Sequence, residues 1–502
     1  VELSTRIATI LTLDPEADAI EFEGSWCSWG ALHRVATAVA GLLDADGVPF
    51  AGPVGLVLRN DPAMIAAVLG TLMAGRCVVT VSPHQGDDAL VAELENLRVP
   101  AVVALPHDWE RSGVGDVARR CGARGIEGTM DPEPTAGVLP GLERVDPDVP
   151  HRPAAPGVAV EMLTSGTTGP PKRVPLAYAA FERTIAAAGA HYRADGAPEE
   201  TPHLRSGVAI VASPLVHMSG IFRTLLNVAE GRRIALLDRF RVDAFVELVE
   251  RHRPKAVSLV PTALRMVLDA DVDPDSLRSI QVVTSGSAAL PVGVQEAFES
   301  KYGIAVLPSY GATEFAGGVA GWTLPLHREW AERKRGSVGR PQPGRELRVV
   351  DPDTGAELPT DTPGRLEVRG RDSDWVRTTD LARIDADGFL WIEGRSDDAI
   401  LRGGFKVFPG EIVDALRDHP AVLDAGVTGI DDERLGAVPV AAVELRDGAT
   451  ASEEELEEHM RQRLASYKVP TELRIVDALP RTPSMKVSQP QLRELFVGAD
   501  AR

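Results

Sequence analysis

Cysteine is almost missing from this chain of 502 residues: Cys27, Cys77 and Cys121 are odd in number and far apart. That excludes a disulfide framework or a clustered zinc site and fits a reducing compartment. No apolar run approaches the roughly eighteen residues of a membrane-spanning helix. The opening residues Val1–Arg6 do not read as a basic-then-apolar secretory signal, so a cytoplasmic location is expected. Positive charge is in deficit, with a formal net charge of −20. An acidic surface of this kind argues against binding to nucleic acid or to anionic membranes. Anionic ligands must then be drawn in by local positive charge. Lysine is especially scarce, at positions 172, 255, 301, 334, 406, 468 and 486 only. Internal repeats and low-complexity tracts are also missing.

Against that background one segment stands out: Leu163-Thr164-Ser165-Gly166-Thr167-Thr168-Gly169-Pro170-Pro171-Lys172. Hydroxyls and glycines alternate over a few positions, and one of the rare lysines closes the run. Such a loop can turn backbone N–H groups, hydroxyls and a positive charge toward a single anion, and phosphate suits that geometry best. The P-loop of motor and switch NTPases does not fit. It requires a longer interval between its glycines and a Gly-Lys-Ser/Thr ending.

The length predicts more than one domain. The first 150 residues mix helical patterns with short apolar strands such as Val54–Leu58 and Val102–Leu105, which is α/β patterning. A proline-rich stretch, 146–156, reads as a connector. Strands are then expected at 208–211, 256–260, 280–283 and 305–307. Each ends in a loop of small or polar residues: Pro214–His217, Pro261-Thr262, Thr284–Ser287 and Ser309–Glu314. In parallel sheets, ligands bind beyond the carboxyl ends of the strands. From about Gly336 to Gly394 the period becomes two, which predicts a small antiparallel β unit. Asp385-Ala386-Asp387-Gly388 reads there as a hairpin turn rather than a calcium loop. Near the C-terminus, helices are expected from Pro409 and from the Ser452-x-x-Glu455 start.

Four segments in order carry a resemblance across nearly the whole chain. They are Thr164–Lys172; Tyr310-Gly311-Ala312-Thr313-Glu314; Thr379-Asp380 through Gly394-Arg395 and Asp397 to Gly403-Gly404-Phe405-Lys406; and Pro480–Val487 with Lys486. Together they resemble the adenylate-forming acyl-CoA synthetases. The resemblance implies a large N-terminal domain, 1–396, of two α/β subdomains (about 1–150 and 151–335) and a small β-barrel (336–396). A small mobile α+β C-terminal domain, 397–502, follows, pivoting at Asp397. It also implies an ATP-dependent acid–thiol ligase that works in two steps, through an acyl-AMP and then with coenzyme A.

The chemistry suits these residues. The first step brings a carboxylate toward a polyphosphate, so positive charge has to be focused at the point of attack. By the resemblance Lys486 bridges the carboxylate and the α-phosphate, and Thr313 bonds that phosphate. Glu314 holds Mg²⁺ together with Thr168. Thr164, Ser165, Gly166, Thr167, Thr168, Gly169 and Lys172 grip the departing phosphates. Asp380 accepts the ribose hydroxyls with Arg395 beside it. Tyr310 and Gly311 face adenine, and Ser285, Gly286 and Ser287 line its edge. Gly403 and Gly404 lie near the entering thiol, and His217 lies beside the acid. Met218, Ile221, Phe222, Ala312, Phe315 and Gly317 would line the acid pocket, which implies an apolar aliphatic or aromatic monocarboxylic acid. No lysine or arginine is obvious in that wall for a second carboxylate.

The chain departs from the family's pattern at Arg173 and Thr379, and at Met485 before Lys486, where glycine is usual. The stretch before Trp375 is also shorter. An amino-acid-activating domain is disfavoured because the stretch from His217 to Phe222 offers no acid for an α-amino group. An acyl-AMP ligase that loads a carrier-protein thiol, or a stand-alone adenylation enzyme in secondary metabolism, is the alternative to the CoA ligase.

Overall fold

A computed structural model describes the chain except for residues 1, 46, 165–171, 193–200, 371–373, 396–398, 403–404, 433, 483–484 and 498–502. By its internal packing the chain divides into two units. One takes the residues up to Trp330; the other begins at Ala331 and includes the short piece Ala288–Val292. Among the described residues no helix is long and apolar enough to cross a membrane.

In the first unit the strands of residues 53–177 form a seven-stranded sheet. Its order is Thr135–Val138, Arg124–Thr129, Ala101–Ala104, Pro53–Val57, Cys77–Val81, Val158–Thr164 and Lys172–Ala177. The inner five run parallel, and each edge strand is antiparallel. Pro53–Val57 and Cys77–Val81 are buried at every position. Unbroken apolar runs of this kind mark a sheet covered on both faces. The helix Pro62–Met73 is likewise buried all round, from Pro62 to Leu72. Its start is local chemistry: Asp61 caps it by accepting from Ala63 N at 2.7 Å, and proline occupies the first turn.

The expected boundary near residue 150 is crossed by strand pairing. Asp18–Phe22 lies parallel to Arg232–Leu236, with Phe22 opposite Leu236. Arg205–Val211 flanks the other side of Arg232–Leu236. The strand expected at 208–211 therefore belongs to a separate sheet from the next three. Ile20, Val211, Ile234 and Leu236 share one apolar core, and burying them favours this exchange of strands. The proline-rich connector carries no helix or strand between Val138 and Val158.

The third sheet of this unit runs Ala256–Ser258, Val282–Ser285, Ala305–Ala312 and Gly317–Gly321, parallel for the first three strands. Two loops expected at strand ends are shorter than the sequence predicts. Thr284 and Ser285 still belong to their strand, and the next strand continues to Ala312 before a 3₁₀ turn, Thr313–Phe315, reverses it. Glycine permits this continuation. A Cβ on Gly311 would lie 2.5 Å from the Gly317 carbonyl oxygen, so only a bare backbone lets the two strands close up.

In the second unit Arg345–Val350, Gly364–Gly370, Val376–Ile384 and Leu390–Arg395 form an antiparallel meander. The expected small barrel is thus an open path of four strands, too few to close on themselves. Asp385–Gly388 is the hairpin turn, where Asp385 accepts from the Phe389 and Asp387 amides and pairs with Lys334 at 2.6 Å. A second sheet runs Phe405–Val407, Ile400–Arg402, Gly436–Leu445 and Val422–Asp432, with Glu472–Val476 parallel to Gly436–Leu445. Helices Pro409–Arg417 and Glu453–Arg461 start as expected. The second has Ser452 Oγ accepting from Glu455 N at 3.1 Å. By internal packing, residues 331–396 group with the C-terminal strands.

Candidate active site

In the first unit, the strands that flank the glycine–hydroxyl segment, Val158–Thr164 and Lys172–Ala177, pair antiparallel, with Thr164 opposite Lys172. Ser165, Gly166, Thr167, Thr168 and Gly169, and the side chains of Thr164 and Lys172, lie outside the described residues. What holds the strand pair is described. Arg173 donates to the Thr80 carbonyl at 3.0 Å and pairs with Glu93. The unusual arginine after Lys172 is therefore a tie between the outgoing strand, the adjoining Cys77–Val81 strand and the helix Asp87–Leu97. The outgoing strand packs against the Thr313–Phe315 turn, which brings the loop's base and Glu314 to one place. Glu314 is exposed there and Thr313 half-buried.

Beside this turn the three parallel strands end. A Cβ on Gly286 would meet Ser309 Oγ at 2.7 Å, and Ser309 Oγ itself donates to the Ser285 carbonyl at 3.1 Å. Ser285 is 1% exposed, and its Oγ has no hydrogen-bond partner among the described residues. A buried hydroxyl without a partner is costly, and a ligand's polar edge would satisfy it. Ser287 follows in the left-handed region, φ 71°. Tyr310 is half-buried on the next strand, opposite Ala320.

His217 stands at the N-terminus of the helix Met218–Ala229 and is half-buried. The turn before it is held by Asn60, a residue that carries no signal in the sequence. Asn60 is 7% exposed and donates to the Ser213 and Leu237 carbonyls at 3.2 and 2.9 Å. It accepts from Leu215 N at 2.8 Å. Gly220 is obligatory, since a Cβ there would lie 2.1 Å from the Pro214 carbonyl oxygen.

The same helix has two faces. Gly220, Ile221, Thr224, Leu225, Val228 and Ala229 are buried. Met218, Ser219, Phe222, Arg223 and Leu226 are half-buried. Ile221 is 1% exposed and packs in the apolar core of the unit. Phe315 is also buried. Phe222 faces Gly317, where a Cβ would stand 3.6 Å from the ring and 2.6 Å from Thr184 Cγ2. Ala312 is half-buried. Arg223, the only charged residue in the helix, donates to Thr284 Oγ1 at 3.3 Å.

In the second unit Asp380 faces Arg395, and Lys486 lies within electrostatic reach of Arg395. Asp380 is 8% exposed and lies opposite Arg395 in the meander, its Oδ1 3.9 Å from the guanidinium. Lys486 keeps an exposed surface. Partial desolvation, and then repulsion from Arg395, lower its ammonium pKa below the ordinary value. Its loop is tightly specified. Thr482 N donates to the Lys486 carbonyl at 2.7 Å, and Arg481 donates to the Met485 carbonyl at 3.3 Å. Arg481 also pairs with Asp424 at 2.7 Å, and Arg417 holds the same carboxylate at 2.7 Å. Asp397, Gly403 and Gly404 lie outside the described residues. The strands around the glycine pair form a hairpin, with Arg402 opposite Phe405.

Known proteins share the pattern of this chain. The chain belongs to the AMP-binding enzyme family: the family's model matches residues 10–373, and the model of its C-terminal domain matches residues 411–486. It is an AMP-forming ligase of the adenylate-forming class, with two-step acid activation and transfer. It is 30% identical to 4-coumarate–CoA ligase 5 of Oryza sativa subsp. japonica over 94% of this chain and 89% of that one. It is 29% identical to sulfoacetate–CoA ligase of Cupriavidus necator, covering 93% and 92%. Among solved structures it superposes on ATP-bound MatB from Rhodopseudomonas palustris with TM-score 0.82 and 26% identity, covering 99% of each chain. The o-succinylbenzoate CoA synthetase of Bacillus subtilis, in complex with its acyl-adenylate, gives TM-score 0.76 and 25% identity, covering 99% and 98%.

Proposed function

We propose that the chain is an ATP-dependent carboxylic acid–CoA ligase acting on an acid with a largely apolar body. The observation that carries the assignment is the grouping of Asp380, Arg395 and Lys486. Asp380 offers two oxygens to a ribose diol. Lys486 supplies the cation needed where the carboxylate approaches the α-phosphate, with Thr313 as a second donor to that phosphate. The orphan hydroxyl of Ser285 and the bare backbone at Gly286 and Gly311 suit the flat edge of a purine, with Tyr310 alongside. Mg²⁺ would be held by Glu314 and Thr168 together with the phosphates, and when bound it neutralises their charge. One or two protein groups are what that ion ordinarily uses. The segment 164–172 grips the departing pyrophosphate.

Coenzyme A as the acceptor is supported by relatives named as CoA ligases along nearly their whole length. The Gly403-Gly404 pair would give the thiol close approach, with exchange between half-reactions at Asp397. Met218, Phe222, Ala312 and Gly317 support an apolar acid, and His217 positions its carboxylate.

The test is Lys486→Ala in the two half-reactions. ATP–pyrophosphate exchange driven by the acid is expected to vanish. Thioester formation from supplied acyl-adenylate and CoA is expected to persist. Equal loss of both overturns the role given to Lys486. A panel of acids assayed for pyrophosphate release, with and without CoA, then identifies the acid and the acceptor. Release that never yields a CoA thioester overturns the acceptor.

A further inference from the structure

The apolar side of the Met218–Ala229 helix carries one charge, and its placement bears on the substrate. Arg223 sits next to Phe222, whose ring faces Gly317, and on the same half-buried face as Met218, Ser219 and Leu226. Its guanidinium reaches the carboxyl end of Val282–Ser285 and bonds the Thr284 hydroxyl at 3.3 Å. The carboxyl end of a parallel strand is where a ligand lies in this architecture. A guanidinium has five N–H donors in a flat fork, which matches a carboxylate or sulfonate. The bond to Thr284 ties the guanidinium to that strand end.

Half-burial of a cation on an otherwise apolar face costs solvation. A helix built only to pack, or to line a purely apolar pocket, gains nothing from that cost. Arg223 follows His217 by six positions, a rise of roughly 9 Å along the helix. Met218 and Phe222 lie between the two in the chain.

We infer that Arg223 selects acids carrying a second anionic group, a carboxylate or sulfonate, at the end remote from the carboxylate that is activated. This inference rests on the ligase reading and replaces the monocarboxylic acid expected from the sequence. Thr284 is the positioning residue for the guanidinium.

Arg223→Met keeps length and apolar packing and removes the charge. Pyrophosphate release is measured for wild type and variant with paired acids of equal length, one ending in a methyl and one in a carboxylate or sulfonate. Wild type is expected to prefer the dianionic member. Arg223→Met is expected to lose roughly 10- to 100-fold in kcat/KM for the dianion relative to its methyl partner. Thr284→Val should move that ratio the same way by less, and Arg223→Lys should restore part of it. Equal losses on both acids overturn the inference, as does a rise in KM for ATP with the acid ratio unchanged, which would assign the cation to the nucleotide. Calorimetric titration of the same acid pairs into wild type and Arg223→Met provides a readout without turnover, and an identical affinity ratio in the two overturns it. Failure of every acid to release pyrophosphate from wild type counts against the ligase reading instead.

Discussion

Met485 adopts φ 64°, the left-handed backbone that a glycine would take without strain. The substitution seen in the sequence has therefore kept the loop's shape and accepted a steric cost of about 1–2 kcal/mol. Reverting it is not pure gain, because glycine adds about 0.5–1 kcal/mol of chain entropy to be lost on folding. The balance favours Met485→Gly by roughly 0.5–1 kcal/mol. A denaturant midpoint that rises with an unchanged slope is the expected result. A fall would mean that the methionine side chain packs well enough to outweigh its backbone. The other departures have different reasons. Arg173 is spent on Glu93 and the Thr80 carbonyl. Trp375, which follows the shortened stretch, lies between two guanidiniums, Arg348 at 4.3 Å and Arg369 at 4.7 Å from its ring. Those contacts hold the tryptophan on the meander.

At the scale of elements, the lysine loop is tied through Arg481 to Asp424 at 2.7 Å and to Glu444 at 3.5 Å. Burial raises the Asp424 carboxyl, but Arg417 and Arg481 outweigh it and hold it below its ordinary value. The folded chain then binds this proton less readily than the unfolded one. The stability it contributes is complete above the unfolded value of about 3.9 and is lost as pH falls through the lower folded value. Asp424→Asn is expected to cost about 1.5–3 kcal/mol near neutrality, and to flatten the acid side of the stability curve. The measurement is the difference between wild-type and variant melting temperatures as pH is lowered from about 5 to about 2. That difference should shrink across the window. A constant difference would show that Asp424 does not hold Arg481 through its charge. Adenylation should fall with the same variant, because the Arg481 side chain also bonds the Met485 carbonyl beside Lys486.

For the whole molecule, what was legible in the sequence is what local chemistry decides. The helices at Pro409 and Ser452 begin where proline and capping residues stand. The order of the four motif segments likewise carried the ligase class. The pairing of Asp18–Phe22 with Arg232–Leu236, the split of the expected strand series between two sheets, and the partners of Asn60, Arg223 and Asp424 were not legible. Each joins residues far apart in the chain, and a short window of sequence holds no trace of the partner.

The same long-range packing gives the molecule separate cores. Leu32, Ile65, Phe181 and Leu225 belong to one, and Ile400, Leu416, Val427 and Leu456 to another. Two cores of this kind need not melt together. Leu416 is fully buried, and Leu416→Ala should remove about 2–5 kcal/mol from the second unit alone. For units of this size each kcal/mol moves a melting point by about 2–4 °C. Scanning calorimetry is therefore expected to resolve two transitions, with Leu416→Ala lowering one by several degrees and Leu225→Ala lowering the other. A single transition that both variants shift equally would mean that the two cores unfold as one cooperative body.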